Sequence, residues 1–195
     1  MSVEELDVNI DYEKLMHDYE RLDIDNILKG SYSDHAHYNQ IAVQCRPECP
    51  VEEQLYQGTG SLVYDWSKLD EDGNPTMLPK RFKQYEFTEI AEYFKGSYFE
   101  EAINIVNEKF TIHRTRIMMS KPKSCLSTHT DATRRIHIPL VTNEDCYMVF
   151  TDKVYRMPFG KTYIADTTET HTAVNASTQR RTHIVMCIHE PPKYR

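Results

Sequence analysis

The sequence predicts a mainly β protein with flanking helices, because the spacing of its apolar residues changes partway along the chain. Before about residue 109 these residues recur mostly at helical intervals, whereas from Phe110 onward they alternate with polar residues. The alternating stretches are short and are separated by turn-like residues, such as those at 143–145 and 158–160. Many short strands of this kind are typical of a sandwich, a jelly roll or a barrel. At 195 residues the chain has the length of one domain, and we predict a single domain over 1–195.

The first 108 residues are expected to form helices and short strands around that β region. Leu15, Met16, Tyr19 and Leu22 recur at helical spacing and predict a surface helix over 11–23. The remaining predictions are short strands at 41–43 and 62–64, an exposed turn between 69 and 79, and helices at 87–94 and 99–106.

The strands predicted after residue 108 carry cations on one face. They lie at 110–118, 135–140, 147–150, 163–165 and 182–188. Arg135 and His137 alternate with isoleucines, and Arg181 and His183 alternate with Thr182 and further apolar residues. Such a face is either the solvated side of an ordinary sheet or the lining of an anion site.

The first of these strands is also expected to carry arginines. Its alternation predicts one shared face for Phe110, Ile112, Arg114, Arg116 and Met118. For the two arginines we expect a solvated position.

Charge and composition exclude several classes of protein. Residues 1–108 hold 9 basic and 23 acidic side chains, net −14, while residues 109–195 hold 14 and 7, net +7. The overall charge of −7 argues against generic nucleic-acid binding, which depends on excess Lys and Arg. No apolar run approaches the roughly 20 residues of a membrane-spanning helix, and no secretory signal is visible, so we expect a cytoplasmic protein without a membrane partner. The five cysteines, Cys125 included, are expected to be reduced thiols in packed positions.

Three residues of the cationic half have the pattern of a metal site. His129 and Asp131 lie two residues apart, on the same side of an extended segment, and His171 follows 40 residues later. Two histidines and one carboxylate are the ligand set of non-haem Fe(II) oxygenases. The His-x-Asp spacing alone is weak, because an isolated histidine is more often an ordinary hydrogen-bonded group.

Arg181 strengthens the metal interpretation, since it follows His171 by ten residues. A guanidinium binds a carboxylate through two parallel hydrogen bonds. A small dicarboxylate could therefore chelate the metal at one end and pair with Arg181 at the other. Arg135 and His137 could extend the same anion pocket.

Together these segments resemble the aspartyl/asparaginyl β-hydroxylase-type branch of the 2-oxoglutarate- and Fe(II)-dependent oxygenases. The resemblance covers approximately residues 109–191 and rests on HTDATRRIHIPLVTNEDCYMVF followed by ADTTETHTAVNASTQRRTHIVMCIH. The Arg135-x-His137 motif, which follows the first metal ligand His129, narrows the resemblance from the superfamily to this branch. The animal enzymes that typify the branch have a glycine where this chain has Asp131, and many relatives in the wider superfamily have a serine at the position of His183.

The resemblance implies a double-stranded β-helix, a jelly roll of cupin type, over 109–191, with residues 1–108 as a buttress and a wall of the substrate pocket. It implies Fe(II) bound by His129, Asp131 and His171, and 2-oxoglutarate bound by Arg181, Arg135 and His137. Reaction with O2 would hydroxylate an aspartyl or asparaginyl side chain or a small amino-acid-like substrate, with release of succinate and CO2.

Two further interpretations remain open. A non-oxygenase cupin that binds or senses a metal would also use His129, Asp131 and His171, but it leaves the arginines unexplained. Separately, His35, His37, Cys45 and Cys49 could form a zinc site, although their spacing favours a plain loop. The segments 31–44 and 56–61 are alternatively expected to line the substrate pocket. Oligomeric state cannot be predicted from the sequence.

Overall fold

The computed structural model describes residues 2–30, 40–56, 62–69, 71–73, 75–151 and 153–190. Within them the helices are Tyr12–Glu20 (α1), Ile24–Gly30 (α2), Val51–Gln54 (α3) and Tyr98–Asn107 (α4), with short 3-10 helices at Gln84–Glu86 and Glu92–Phe94. The strands are Val3–Leu6 (β1), Gln40–Ala42 (β2), Gln44–Cys45 (β3), Leu62–Leu69 (β4), Pro75–Arg81 (β5), Glu89–Ile90 (β6), Ile112–Ser120 (β7), Ser124–Cys125 (β8), Arg135–Val141 (β9), Cys146–Phe150 (β10), Val154–Tyr155 (β11), Thr162–Ala165 (β12), His171–Asn175 (β13) and Arg181–Ile188 (β14).

Strands β7 to β14 wind in turn through two antiparallel sheets. A six-stranded sheet has the order β1-β12-β9-β14-β7-β2, and a four-stranded sheet has the order β11-β10-β13-β8. The chain crosses from one sheet to the other after β7, β8, β9, β11, β12 and β13. Eight strands arranged in this way form a jelly roll, the double-stranded β-helix. The predicted fold class is confirmed.

The outer face of the six-stranded sheet is covered by the N-terminal helices. Leu15 of α1 and Phe99 of α4 belong to one buried cluster with the isoleucines of β9 and β14. The Tyr19 hydroxyl of α1 donates a hydrogen bond of 3.2 Å to the hydroxyl of Thr182 in β14. The helices predicted at 11–23 and 99–106 are therefore confirmed as α1 and α4, and both pack against the back of the sheet.

The inner face of the same sheet is directed at the four-stranded sheet. A second apolar cluster joins the two sheets through Val3, Met148, Phe150, Met157, Tyr163, Ala165 and Ala173. Ile136 and Ile138 belong to the outer cluster, so the alternating Arg135 and His137 occupy the inner face. The predicted alternation of β9 and β14 is confirmed, and the cationic face is the buried inner one.

The helix predicted at 87–94 is wrong. Residues 89 and 90 form β6, which pairs with β3, and the amide of Ala91 donates to the carbonyl of Val43. Phe87, Ala91 and Phe94 are buried, as their spacing indicates. A short strand followed by a 3-10 helix buries these side chains as a helix would. The strand forms because its backbone can hydrogen-bond to β3.

The single face predicted for the first cationic strand is also wrong. The register between β14 and β7 shifts between Val185 and Cys187, and Arg114 adopts a φ of 52°. This β-bulge reverses the alternation, so that Ile117 joins the outer cluster while Arg116 faces inward.

Two exposure predictions need correction as well. Arg114 and Arg116 are buried rather than solvated, since the inner face lies between the two sheets. Cys125 is exposed rather than packed, because β8 is an edge strand. All five cysteines are free thiols, as predicted.

Candidate metal centre

His129, Asp131 and His171 lie close together in the jelly roll. One ligand atom from each of the three lies within 4.8 Å of the others. The Nε2 atom of His129 is 3.9 Å from one Asp131 oxygen, and the Nε2 atom of His171 is 3.6 Å from the other. Among the described residues no other group of His, Cys, Asp and Glu has this metal-binding geometry.

Backbone pairing brings the two histidines together. His129 and His171 form an isolated antiparallel bridge, with N–H to O=C distances of 3.0 and 2.9 Å in the two directions. The Asp131 amide donates to the Thr167 carbonyl at 2.7 Å. His129 and His171, 42 positions apart in the chain, thus become neighbours through main-chain hydrogen bonds.

The other ring nitrogen of each histidine orients its imidazole. Nδ1 of His129 lies 2.7 Å from the Ser127 carbonyl, and Nδ1 of His171 lies 2.9 Å from the Glu169 carbonyl. A carbonyl only accepts, so each Nδ1 carries the hydrogen and each Nε2 keeps a lone pair for a metal. Burial lowers the pKa of His171, which favours the neutral form that a metal requires.

The three side chains differ in exposure. The His171 side chain is 4% exposed and stacks on Phe150 at 5.6 Å, whereas the His129 side chain is 37% exposed. The centre is therefore closed on the Phe150 side and open on the His129 side. A substrate would approach from the open side.

Arg135 holds the carboxylate of the group. Its guanidinium donates to Asp131 at 2.5 Å, and both side chains are largely buried. Charge-assisted bonds of this kind are stronger than neutral ones. The bond leaves the second Asp131 oxygen on the side of His171.

Arg181 and His183 form a second polar group on the inner face. Arg181 donates to Nδ1 of His183 at 3.2 Å, and both side chains are buried. Burial, followed by the neighbouring Arg181 charge, lowers the pKa of His183 well below its usual value. Burial also lowers the pKa of Arg181 to about 10. His183 is therefore neutral at pH 7, with its hydrogen on Nε2.

His137 lies between this pair and the metal-binding group. Its ring is 5.8 Å from that of His183, and burial followed by the Arg181 and Arg135 charges lowers its pKa well below the usual value. Within the described part of the chain, neither nitrogen of His137 nor Nε2 of His183 has a hydrogen-bond partner. A buried polar atom without a partner costs about 1–3 kcal/mol, so a polar ligand would stabilise this region.

The donor set fits the predicted cofactors. Two imidazoles with available Nε2 atoms and one carboxylate suit Fe(II). A buried arginine and unsatisfied histidine nitrogens suit a carboxylate. The sequence analysis did not predict the hydrogen bond between Arg181 and His183. The two residues are two positions apart on a strand and therefore share a face, which is the signal that indicates the contact.

Other predicted positions are not brought to this centre. Cys45 and Cys49 are buried, and burial raises the pKa of Cys49 to about 12, which disfavours the thiolate that zinc requires. His35, His37 and most of the predicted substrate wall at 31–44 and 56–61 fall outside the described residues.

A profile of the aspartyl/asparaginyl β-hydroxylase family matches residues 89–191, just over half of the chain. The match includes every residue of the centre. The chain belongs to this family. It is therefore a 2-oxoglutarate-dependent hydroxylase, in agreement with the resemblance visible in its sequence. A comparison with curated protein sequences finds no match.

Several solved structures are similar to the chain. A truncated viral collagen prolyl hydroxylase from Paramecium bursaria Chlorella virus-1 is 10% identical, with 96% of this chain and 89% of that chain covered and a TM-score of 0.43. A 2OG-Fe(II) oxygenase family oxidoreductase from Burkholderia pseudomallei is 11% identical, with 84% and 74% covered and a TM-score of 0.40. A cupin domain from Bordetella pertussis Tohama I is 13% identical, with 39% and 80% covered and a TM-score of 0.35.

None of the helices in the described part of the chain is both long and apolar enough to cross a membrane.

Proposed function

We propose that this hydroxylase uses Fe(II), 2-oxoglutarate and O2 to hydroxylate an aspartyl or asparaginyl side chain or a small amino-acid-like substrate, with release of succinate and CO2. The observation that carries the proposal is the group of His129, Asp131 and His171, whose ligand atoms lie within 4.8 Å of one another. The buried pair of Arg181 and His183 lies on the inner face of the six-stranded sheet, opposite the four-stranded sheet that carries His171.

The metal-binding role belongs to Nε2 of both histidines and to one Asp131 oxygen. The carbonyls of Ser127 and Glu169 hold the two rings in the required orientation. Arg135 fixes the carboxylate through a charge-assisted bond. When bound, the iron supplies the oxygen activation that a side chain cannot supply.

The cosubstrate role belongs to Arg181, Arg135 and His137. Arg181 would pair with the distal carboxylate, held in place by its bond to His183. His137 and Nε2–H of His183 would donate to carboxylate oxygens, which would satisfy atoms that are buried without partners in the described structure. Phe150 limits water access on the closed side of the centre. On the open side, the protein would contribute by holding the substrate in position for the reaction.

The test is spectroscopic and chemical. Protein with Fe(II) and 2-oxoglutarate under anaerobic conditions should develop a weak visible charge-transfer band, and succinate should form once air and substrate are admitted. The same sample of His171→Ala should show neither. Cys125→Ala is the control, because Cys125 is an exposed residue of an edge strand and is not one of the three ligands.

One result would overturn the proposal. If Fe(II) binds, but 2-oxoglutarate changes no spectrum and no succinate forms with any substrate, the protein is a metal-binding cupin without oxygenase activity.

A further inference from the structure

The three metal ligands lie on two short segments that face each other. His129 and His171 exchange two backbone hydrogen bonds at one end of this pair of segments, and farther along the Asp131 amide donates to the Thr167 carbonyl. These bonds set the spacing between the histidines and the carboxylate. A metal site needs its ligands held within about 0.5 Å of the productive geometry, so the contacts that complete this ladder bear on metal affinity.

The last contact of the ladder is made by a side chain. The Thr167 amide donates to the Ala165 carbonyl at 2.9 Å, so this amide is not available to the facing segment. The Thr167 hydroxyl donates instead to the Thr133 carbonyl at 2.7 Å. Thr167 is 1% exposed. Its hydroxyl therefore takes the place of a backbone donor, and a side chain without a donor would open the ladder at this end.

The same segment is held a second time by Ser2. The Asp166 amide donates to the Ser2 carbonyl at 2.8 Å, and the Ser2 hydroxyl donates to a side-chain oxygen of Glu169 at 2.8 Å. Glu169 is the residue whose carbonyl accepts the hydrogen bond from Nδ1 of His171. Ser2 precedes β1, which pairs with β12. The segment before His171 is thus anchored both to the six-stranded sheet and to the facing ligand segment.

We infer that Thr167 is a positioning residue of the metal centre: its hydroxyl, with Ser2 as a second anchor, keeps Asp131 and His171 at the spacing that a metal ion needs. The hydroxyl is bonded to neither ligand side chain and acts through the main chain of the two segments. The inference rests on the metal-binding part of the proposed function.

A Co(II) titration tests the inference without turnover. Bound Co(II) absorbs visible light, so an anaerobic titration of the full chain gives its dissociation constant. Urea unfolding of the metal-free protein is measured in parallel, because a contact that only stabilises the fold would lower the free energy of unfolding without changing the affinity of the folded protein. His171→Ala removes a ligand and should abolish the signal, which assigns it to this centre.

Thr167→Val keeps the side-chain shape and removes the hydroxyl. We expect it to raise the Co(II) dissociation constant about tenfold, as is typical when a group that orients metal ligands is lost. Thr167→Ser should bind Co(II) as tightly as wild type, because it keeps the donor.

Thr162→Val is the matched control. Thr162 is 0% exposed, and its hydroxyl lies 3.0 Å from the hydroxyl of Tyr12, a residue of helix α1. The substitution removes a comparable hydrogen bond from the same part of the chain, but one that does not join the ligand segments. It should lower the free energy of unfolding and leave the Co(II) affinity unchanged.

Equal Co(II) affinity of Thr167→Val and wild type would overturn the inference, and so would equal weakening in Thr167→Ser or in Thr162→Val. If Thr167→Val does not fold, Ser2→Ala takes its place. Its dissociation constant should rise about threefold, because a partly buried neutral hydrogen bond is lost, and an unchanged constant would contradict the inference.

The same samples separate this inference from the proposed function. A wild-type protein that binds no Co(II) would contradict the metal centre and the inference with it. Co(II) binding that responds to Thr167→Val as expected, in a protein whose Fe(II) form releases no succinate, would support the inference and contradict only the oxygenase activity.

Discussion

The protonation state of His183 determines whether its Nδ1 atom can accept the hydrogen bond that holds the Arg181 guanidinium. Burial keeps His183 neutral, so its Nδ1 accepts from Arg181 and its Nε2–H is directed elsewhere. A protonated histidine at this position would repel the arginine and remove the acceptor. At the scale of single residues, this centre places neutral histidines next to permanent cations.

Replacement of Arg181 by glutamine should raise the 2-oxoglutarate concentration needed for half-maximal succinate formation about tenfold or more, because a buried charge-assisted contact is lost. Fe(II) binding, measured separately by metal titration, should change much less. Arg180→Gln is the matched control, since Arg180 is the exposed neighbour. An equal effect of both variants would show that Arg181 has no special role.

A glycine at position 114 should tolerate the bulge better than an alanine. Arg114 has a φ of 52°, where a Cβ atom costs about 1 kcal/mol or more. Arg114→Gly should therefore have a larger free energy of unfolding than Arg114→Ala by about 1 kcal/mol, measured by urea denaturation. Both variants lose the guanidinium, so the comparison isolates the backbone. Equal stabilities would mean that the bulge is not strained.

At the scale of elements, helix α4 and the six-stranded sheet depend on each other. Phe99 is 1% exposed and Ile103 is 2% exposed in the cluster that includes Ile136 and Ile184 of the sheet. The outer face of β9 and β14 would otherwise present apolar side chains to water. The helix therefore stabilises the sheet whose other face carries the polar centre.

Phe99→Ala should lower the free energy of unfolding by about 3–5 kcal/mol, because a large buried ring leaves a cavity. Asn104→Ala changes an exposed position of the same helix and should stay within about 0.5 kcal/mol of wild type. Urea unfolding measures both values. A small effect of Phe99→Ala would mean that α4 contributes little to the sheet.

At the scale of the whole molecule, we propose that residues 1–195 fold as one domain, with 1–108 as a buttress for the jelly roll of 109–191. The outer cluster contains residues from both parts, and β1 extends the sheet beside β12. We therefore expect a fragment of 109–190 to aggregate or remain unfolded in circular dichroism and hydrogen-exchange measurements. A soluble, cooperatively unfolding fragment would contradict the proposal.

The metal-free protein should lose stability in mild acid. Burial lowers the pKa of His113, His137, His171 and His183 from the ordinary value of 6.5. Below about pH 6.5 the unfolded chain binds protons that the folded chain does not, so the free energy of unfolding falls as the pH falls. The contribution of these histidines to the free energy of unfolding is fully present at pH values above the pKa of histidine in the unfolded chain.

Urea unfolding between about pH 7.5 and 5.5 tests this, with a slope of up to about 1.4 kcal/mol per pH unit for each such histidine. His183→Gln should reduce the slope, whatever its effect on stability at pH 7.5. Asn104→Ala, which changes an exposed position without a titratable group, should leave it unchanged. A slope that His183→Gln does not alter would indicate that this histidine titrates normally.

The sequence could predict features that depend on local periodicity. Helices α1 and α4 follow from 3.6-residue spacing, and the inward cations of β9 and β14 follow from strict alternation. The helix predicted at 87–94 was wrong because residues 89 and 90 instead pair with β3, and this arrangement buries the same apolar positions. The solvated position predicted for Arg114 and Arg116 was wrong because a β-bulge reverses which side chains of β7 face inward. The alternation of residue types in the sequence gives no clear sign of this bulge.

By itself the sequence determined the family, the β character of the second half and the residue types of the centre, because these depend on composition, spacing and motif. Only the tertiary structure decided that His129 and His171 share a backbone bridge and that the cationic faces are buried. The physical reason is that burial and proximity come from sheet pairing between segments distant in the chain. The same pairing determines the charge states of the histidines and so the chemistry that the centre can perform.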